Sequence, residues 1–132
     1  MSEARWGQVD DYLEEVYALG DPALEAAQAA ARAAGLPEIQ VQPNLGRLLQ
    51  ILARSVGARR ILELGTLGGY STIWLARALP AGGRLITLES EARHAAVARE
   101  NIARAGFAGV VEVRVGRAIE TLPALEAEQE GP

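Results

Sequence analysis

The chain of 132 residues contains no cysteine and no lysine, and its thirteen basic side chains are all arginine. Without cysteine it has no disulfide framework, no thiolate zinc site and no cysteine nucleophile. Without lysine it cannot form a P-loop or use an amine as a Schiff base or catalytic base. Aromatic residues make up only 5% of a chain that is 49% hydrophobic, so we expect a core of aliphatic side chains and alanine.

The charge balance is mildly acidic, with a net charge of −4 and acids interleaved with bases. A sequence-independent nucleic-acid binder needs a basic face, so a nucleic-acid partner is not expected. No apolar run approaches the ~20 residues of a membrane span, and no signal peptide opens the chain. We therefore expect one domain without a membrane partner, located in the cytoplasm.

Residues 1–57 are predicted to form an N-terminal helical segment. Apolar residues recur at helical spacing in its first stretch, as a stripe of core or partner surface: Trp6, Val9, Leu13, Val16 and Tyr17. Asp21 and Pro22 are typical of an N-cap and first helical position, and predict a second helix to residue 34. Asn44 is expected to cap a third helix that ends at Gly57.

From residue 58 to residue 132 short apolar runs alternate with helical stretches. Strands are predicted at 61–64, 84–89 and 110–115, and helices at 71–79, 91–105 and 118–128. This alternation is typical of an α/β fold with a parallel sheet, in which the first strand would be buried.

A glycine-rich turn follows the first predicted strand, with glycines at Gly65, Gly68 and Gly69. Such a turn lets a ligand approach the backbone, and the helix N-terminus beyond it favours an anionic group. The dinucleotide fingerprint would place glycines where Leu67 and Tyr70 stand, so a nicotinamide or flavin dinucleotide is disfavoured.

The next two strand ends complete the pattern. Glu89 ends the second strand and could accept hydrogen bonds from both hydroxyls of a ribose, or serve as a helix-capping acid. Gly116 and Ala118 follow the third strand and are small enough for a flat adenine to lie beside them. The three strand ends together outline an adenosine with a charged tail.

The sequence resembles the class I S-adenosylmethionine-dependent methyltransferases, specifically the catechol and caffeoyl-CoA O-methyltransferase-like family. The resemblance covers roughly residues 38–125, and its most specific runs are ILELGTLGGYST at 61–72, LITLE at 85–89 and GRA at 116–118. It implies a Rossmann-like fold, here a truncated sheet of order 3-2-1 behind N-terminal helices. It also implies O-methylation of a small hydroxylated or phenolic acceptor, with S-adenosylmethionine as cofactor.

The resemblance assigns the cofactor contacts residue by residue. Val41 would lie over the cofactor, Glu63 and Gly65 would line its methionine and ribose side, Tyr70 and Ser71 would approach its amino-acid carboxylate, Glu89 would hold the ribose, and Gly116 and Ala118 would border the adenine. The residues themselves leave alternatives open. Glu63 could be a satisfied buried carboxylate, Ser71 could cap its helix, and His94 is expected to be solvated.

The family's divalent-metal ligands and catalytic lysine belong to later strands, and this chain has no aspartate after Asp21. We therefore expect no metal site here and assign no catalytic residue. We also expect the chain to be a fragment, or to associate with a copy of itself through the exposed first strand or the N-terminal helices. The alternative function is a non-catalytic S-adenosylmethionine-binding or interaction module.

Overall fold

The computed structural model describes residues 2–17 and 19–128, so residues 129–132 of the predicted half-domain lie outside the described residues. Six helices and three strands occur within the described residues. In chain order they are α1 Glu3–Tyr17, α2 Pro22–Ala33, α3 Pro43–Ser55, β1 Arg60–Leu64, α4 Tyr70–Ala76, β2 Arg84–Glu89, α5 Ala92–Arg104, β3 Val111–Val115 and α6 Ala118–Glu128.

The three strands form one parallel sheet in the order β1-β2-β3, which confirms the predicted order 3-2-1. Leu64 of β1 pairs with Leu88 of β2, and Glu89 pairs with Val115 of β3. The amide of Gly65 continues the ladder by donating to the Leu88 carbonyl oxygen at 2.8 Å. The glycine turn and Glu89 therefore lie next to each other at the carboxyl ends of β1 and β2.

Small side chains allow α2 to pack against α5 and the turn after β1. Ala27 of α2 and Ala95 and Ala98 of α5 are buried in one core. The buried Asn101 side chain donates to the carbonyl oxygens of Ala27 at 3.2 Å and Gly68 at 2.9 Å. This amide ties the N-terminal helical segment to the glycine turn.

The start of α2 agrees with the prediction. The Asp21 side chain accepts hydrogen bonds from the amides of Ala23 and Leu24, both at 3.0 Å, and Pro22 occupies the first helical position. The same carboxylate pairs with the guanidinium of Arg77. That bond lowers the pKa of the Asp21 carboxyl, and the pair joins α2 to α4.

The predicted cap of α3 was wrong. This helix begins at Pro43 with Gln42 as N-cap, so Asn44 lies inside the first turn. Proline fits the first helical position because its fixed φ suits the helix and its missing N–H is not needed there. The side chain of Asn44 instead donates to Asp10 Oδ1 at 2.6 Å, which joins α3 to α1.

The apolar run of β1 is typical of a buried strand, but β1 lies at the edge of the sheet, as the expectation of an exposed first strand has it, since within the described residues it pairs only with β2. Leu62 is 49% exposed and Leu64 is 56% exposed. The stripe on α1 is likewise exposed, at Trp6 and Tyr12 among others, and no described residue of α1 is buried. No helix among the described residues has the length and apolar character needed to cross a membrane.

Candidate functional site

A cavity of about 380 Å³ lies at the carboxyl ends of β1 and β2, beneath α2 and the segment that follows it. The lining comes from four parts of the chain. These are Ala27, Gln28 and Ala31 of α2; Pro37, Ile39, Gln40 and Val41; residues 65–68 with Tyr70 and Ser71; and residues 89–91 with His94. The volume falls within the range of roughly 300–1,000 Å³ that is usual for small-molecule sites. The structure thus brings Val41, Gly65, Tyr70, Ser71 and Glu89 together.

The glycine turn forms the floor of this cavity. Gly65 and Gly69 have φ values of +90° and +83°, in the left-handed region that glycine adopts without steric cost. Glycine is favoured at position 68 for a different reason, which is the lack of space: a Cβ there would lie 3.0 Å from the Cβ of Ala31 on α2. The turn therefore combines a special backbone with room for a helix to approach.

Glu63 lies beneath this floor and is not among the residues that line the cavity. Its Oε1 accepts from Thr72 Oγ1 at 2.5 Å and Thr87 Oγ1 at 2.7 Å, and its Oε2 accepts from Ser71 Oγ at 2.7 Å. Burial raises the pKa of the Glu63 carboxyl, although the three hydrogen bonds work against that rise. Its carboxylate ties β1, β2 and α4 together from below, and its expected contact with the cofactor stays a prediction.

The Ser71 bond also answers the alternative left open for that residue. Ser71 does not cap α4, because it lies inside the helix, whose N-cap is Gly69 without a side-chain bond; its hydroxyl donates to Glu63 instead. Ser71 and Tyr70 both contribute to the cavity wall. Burial raises the pKa of the Tyr70 hydroxyl, and the carboxylates of Glu14 and Asp21 raise it further.

Glu89 is buried at the end of β2, and both of its oxygens are engaged by backbone amides. Oε2 accepts from the amide of Leu67 at 2.8 Å, and Oε1 accepts from the amide of Glu91 at 2.9 Å. Glu89 accepts no hydrogen bond from an amide inside α5, so it does not cap that helix, whose N-cap is Glu91. It fixes the glycine turn and the residue before α5, and it lines the cavity.

The remaining two predicted contacts lie outside this cavity. Gly116 and Ala118 follow β3 and do not contribute to its lining. The reason is geometric, because β3 is one strand further from the glycine turn than β2. Gly116 adjoins the site through its amide, which donates to the Glu89 carbonyl oxygen at 2.8 Å. Their contact with an adenine stays a prediction.

Sequence reasoning missed His94 and Gln28 as cavity residues. His94 was expected in solvent, but its Nδ1 lies 3.8 Å from Glu89 Oε1 and its side chain is only 22% exposed. A signal was available, because a side chain in the first turn of a helix tilts back toward the preceding strand end. Gln28 could not have been found this way, because its place depends on how α2 packs.

The described residues do not supply a metal site. Within 2–17 and 19–128 no group of three or more His, Cys, Asp or Glu side chains could hold a metal ion. The divalent metal that the family resemblance implies therefore has no fitting ligand set in this part of the chain.

Comparisons with known proteins agree with this geometry. A family model described as O-methyltransferase matches residues 15–132. A catechol O-methyltransferase from Niastella koreensis is 52% identical over 132 residues, which are 100% of this chain and 60% of that protein. A catechol O-methyltransferase from Mycobacterium tuberculosis is 54% identical over 117 residues, covering 89% of this chain and 53% of the relative.

Solved structures confirm the fold. An O-methyltransferase from Bacillus cereus in complex with SAH superposes with a TM-score of 0.91 at 49% identity, covering 95% of this chain and 57% of that chain. An O-methyltransferase from Streptomyces achromogenes involved in tomaymycin synthesis, in complex with SAM, has a TM-score of 0.91 at 48% identity. The match covers 100% of this chain and 59% of that chain. The chain thus spans between 53% and 60% of the length of these four proteins.

Proposed function

Since this chain belongs to the O-methyltransferase family, we propose that its cavity binds S-adenosylmethionine and that the protein methylates a hydroxyl group of a small molecule. A phenolic or catechol-like acceptor is the class that we favour. Two relatives that share more than half of their aligned residues with this chain carry the name catechol O-methyltransferase.

One observation carries the proposal. The parallel register places Glu89 next to the glycine turn, and both line a single cavity whose size suits a nucleoside ligand. Solved relatives with TM-scores of 0.91 were crystallised with SAH or SAM, the two forms of this cofactor. Open α/β sheets bind their ligands at this position, outside the carboxyl ends of the strands.

The contacts of the site suggest a role for each wall. The two oxygens of Glu89 each accept one amide hydrogen bond and keep further lone pairs, so they can accept from two ribose hydroxyls. Tyr70 and Ser71 would meet the amino-acid end, and Val41 would cover the ligand. The adenine would extend past Glu89 toward Gly116 and Ala118.

When bound, S-adenosylmethionine supplies a methyl group made electrophilic by its sulfonium. The chain's own contribution is to hold that ligand in one orientation, since aligning the methyl group with the attacking oxygen removes much of the entropic barrier. The buried Glu63 network serves this purpose by fixing Ser71 and the start of α4 relative to β1 and β2.

The second candidate is cofactor binding without catalysis. The observation behind it is that the described residues contain no group of side chains suited to bind the divalent metal that the family resemblance implies. Both candidates share the same cavity and differ only in whether an acceptor is methylated.

Calorimetry and a turnover assay on the 132-residue chain separate these functions. We expect S-adenosylhomocysteine and S-adenosylmethionine to bind and NAD not to bind. Methylation of catechol, measured with and without Mg²⁺, would establish the enzyme, whereas binding without turnover would favour the module. Tight binding of NAD with no binding of S-adenosylhomocysteine would refute both.

We further propose that copies of this chain associate through the exposed side of β1 or the apolar stripe of α1. Two features support this association: exposed Leu62 and Leu64 on a strand whose outer edge pairs with no other strand of the described residues, and exposed Trp6 and Tyr12 on α1. A strict monomer in light scattering, together with cooperative unfolding in a denaturation experiment, would contradict it. The cytoplasmic location stays a prediction, which fractionation of the native cells would test.

A further inference from the structure

His94 lies in the first turn of α5, the helix that follows β2 and its last residue, Glu89. Its Nδ1 is 3.8 Å from Glu89 Oε1, and the two side chains are 22% and 9% exposed. Both residues line the cavity. The neighbouring cation does not compete for this position, since the Arg93 guanidinium donates to the Ala34 carbonyl oxygen instead.

The distance of 3.8 Å is too long for a direct hydrogen bond between imidazole and carboxylate. Oε1 already accepts the Glu91 amide at 2.9 Å and has a further acceptor site, because each carboxylate oxygen offers about two. A hydroxyl group placed about 2.8 Å from both atoms would span this gap. Such a group can donate its hydrogen to one neighbour and accept a hydrogen from the other.

We propose that His94 is a second ribose-binding residue, which rests on the proposed function of the cavity. The ribose hydroxyl that donates to Glu89 Oε1 accepts a hydrogen bond from His94, in the tautomer that carries its proton on Nδ1. Glu89 and His94 together then recognise a free hydroxyl. A ligand that lacks this hydroxyl, or carries a phosphate in its place, loses the bridge.

Three substitutions separate this role from a structural one. His94→Leu keeps the bulk of the side chain and removes the donor. His94→Asn places an amide nitrogen close to where Nδ1 lies, whereas His94→Gln reaches toward the position of Nε2. If the donor at the Nδ1 position matters, the asparagine variant retains binding and the glutamine variant resembles the leucine variant.

The experiment measures dissociation constants by calorimetry for S-adenosylhomocysteine and its 2′-deoxy and 3′-deoxy analogues. We expect His94→Leu to weaken S-adenosylhomocysteine about five- to tenfold, the effect of one hydrogen bond. For the analogue that lacks the bridging hydroxyl, the same substitution should change affinity less than about twofold. That result also identifies which hydroxyl is bound.

Two results overturn the proposal: an equal loss of affinity for all three ligands, which means a structural role, or no loss for S-adenosylhomocysteine. If His94→Leu fails to fold, the contrast between the asparagine and glutamine variants decides the matter in the same way. Failure of the wild-type chain to bind S-adenosylhomocysteine would instead refute the proposed function, and this assignment with it.

Discussion

The Leu67 amide donates to Glu89 Oε2 at 2.8 Å, across 22 positions of sequence. Leu67 has a φ of +51°, in the left-handed region that leucine rarely adopts. Glu89 is buried, and a buried carboxylate needs donors because removing a charge from water is costly. The strained turn and the acid therefore stabilise one another, and this pair shapes the floor of the cavity.

Glu89→Ala should weaken binding of S-adenosylhomocysteine by about 1.5–3 kcal/mol, since charge-assisted hydrogen bonds to the ribose would be lost. Calorimetry measures this effect, and circular dichroism checks that the variant is folded. Glu100→Ala, on the exposed side of α5, is the matched control and should bind normally. Unchanged affinity in Glu89→Ala would remove this residue from the site.

Leu67→Val should lower the free energy of unfolding by about 1–2 kcal/mol, because a β-branched residue tolerates the left-handed region less well than leucine. Leu67→Gly should cost much less, because glycine adopts this region freely. Urea denaturation measures both variants. If valine were tolerated as well as glycine, the backbone conformation at this position would not be under strain.

Glu63 should make the stability of the protein depend on pH. Burial raises its pKa above the ordinary value of 4.5, so the folded state binds the proton more tightly than the unfolded chain. This contribution to stability is complete below the unfolded pKa and is lost as the pH rises through the folded pKa.

Urea denaturation of the wild type and of Glu63→Gln, at about pH 4 and about pH 7, tests the direction. Subtracting the variant's free energy of unfolding from that of the wild type cancels the other titrating groups. We expect this difference to favour the wild type more at the lower pH. A difference that grows with pH would mean that the hydrogen bonds outweigh burial.

Gly46→Ala should destabilise the protein by about 1–3 kcal/mol, because the added Cβ would overlap the buried indole ring of Trp74. Gly7→Ala is the matched control, since Gly7 also lies inside a helix but has open space around it. The control should gain about 0.5–1 kcal/mol from helix propensity. Equal effects in the two variants would show that α3 can shift away from α4.

Much of the site followed from residues close in sequence. The motif around Gly65 and the acid at Glu89 could be predicted because Gly65 directly follows β1 and Glu89 is the last residue of β2, and both line the cavity. The role of Glu63 was left open, since its three partners lie 8, 9 and 24 positions away. No short pattern encodes which hydroxyl groups will surround a buried carboxylate.

Element types and their order depend on periodicity, capping residues and glycine, which act within a few positions, so the residues alone established the alternation of strands and helices after Arg60. Packing decided the rest. The approach of α2 to Gly68, the bond from Asn44 to Asp10 and the place of His94 beside Glu89 all join distant parts of the chain. Such contacts arise only when helices and sheet bury their apolar faces together, because the whole core sets their distances.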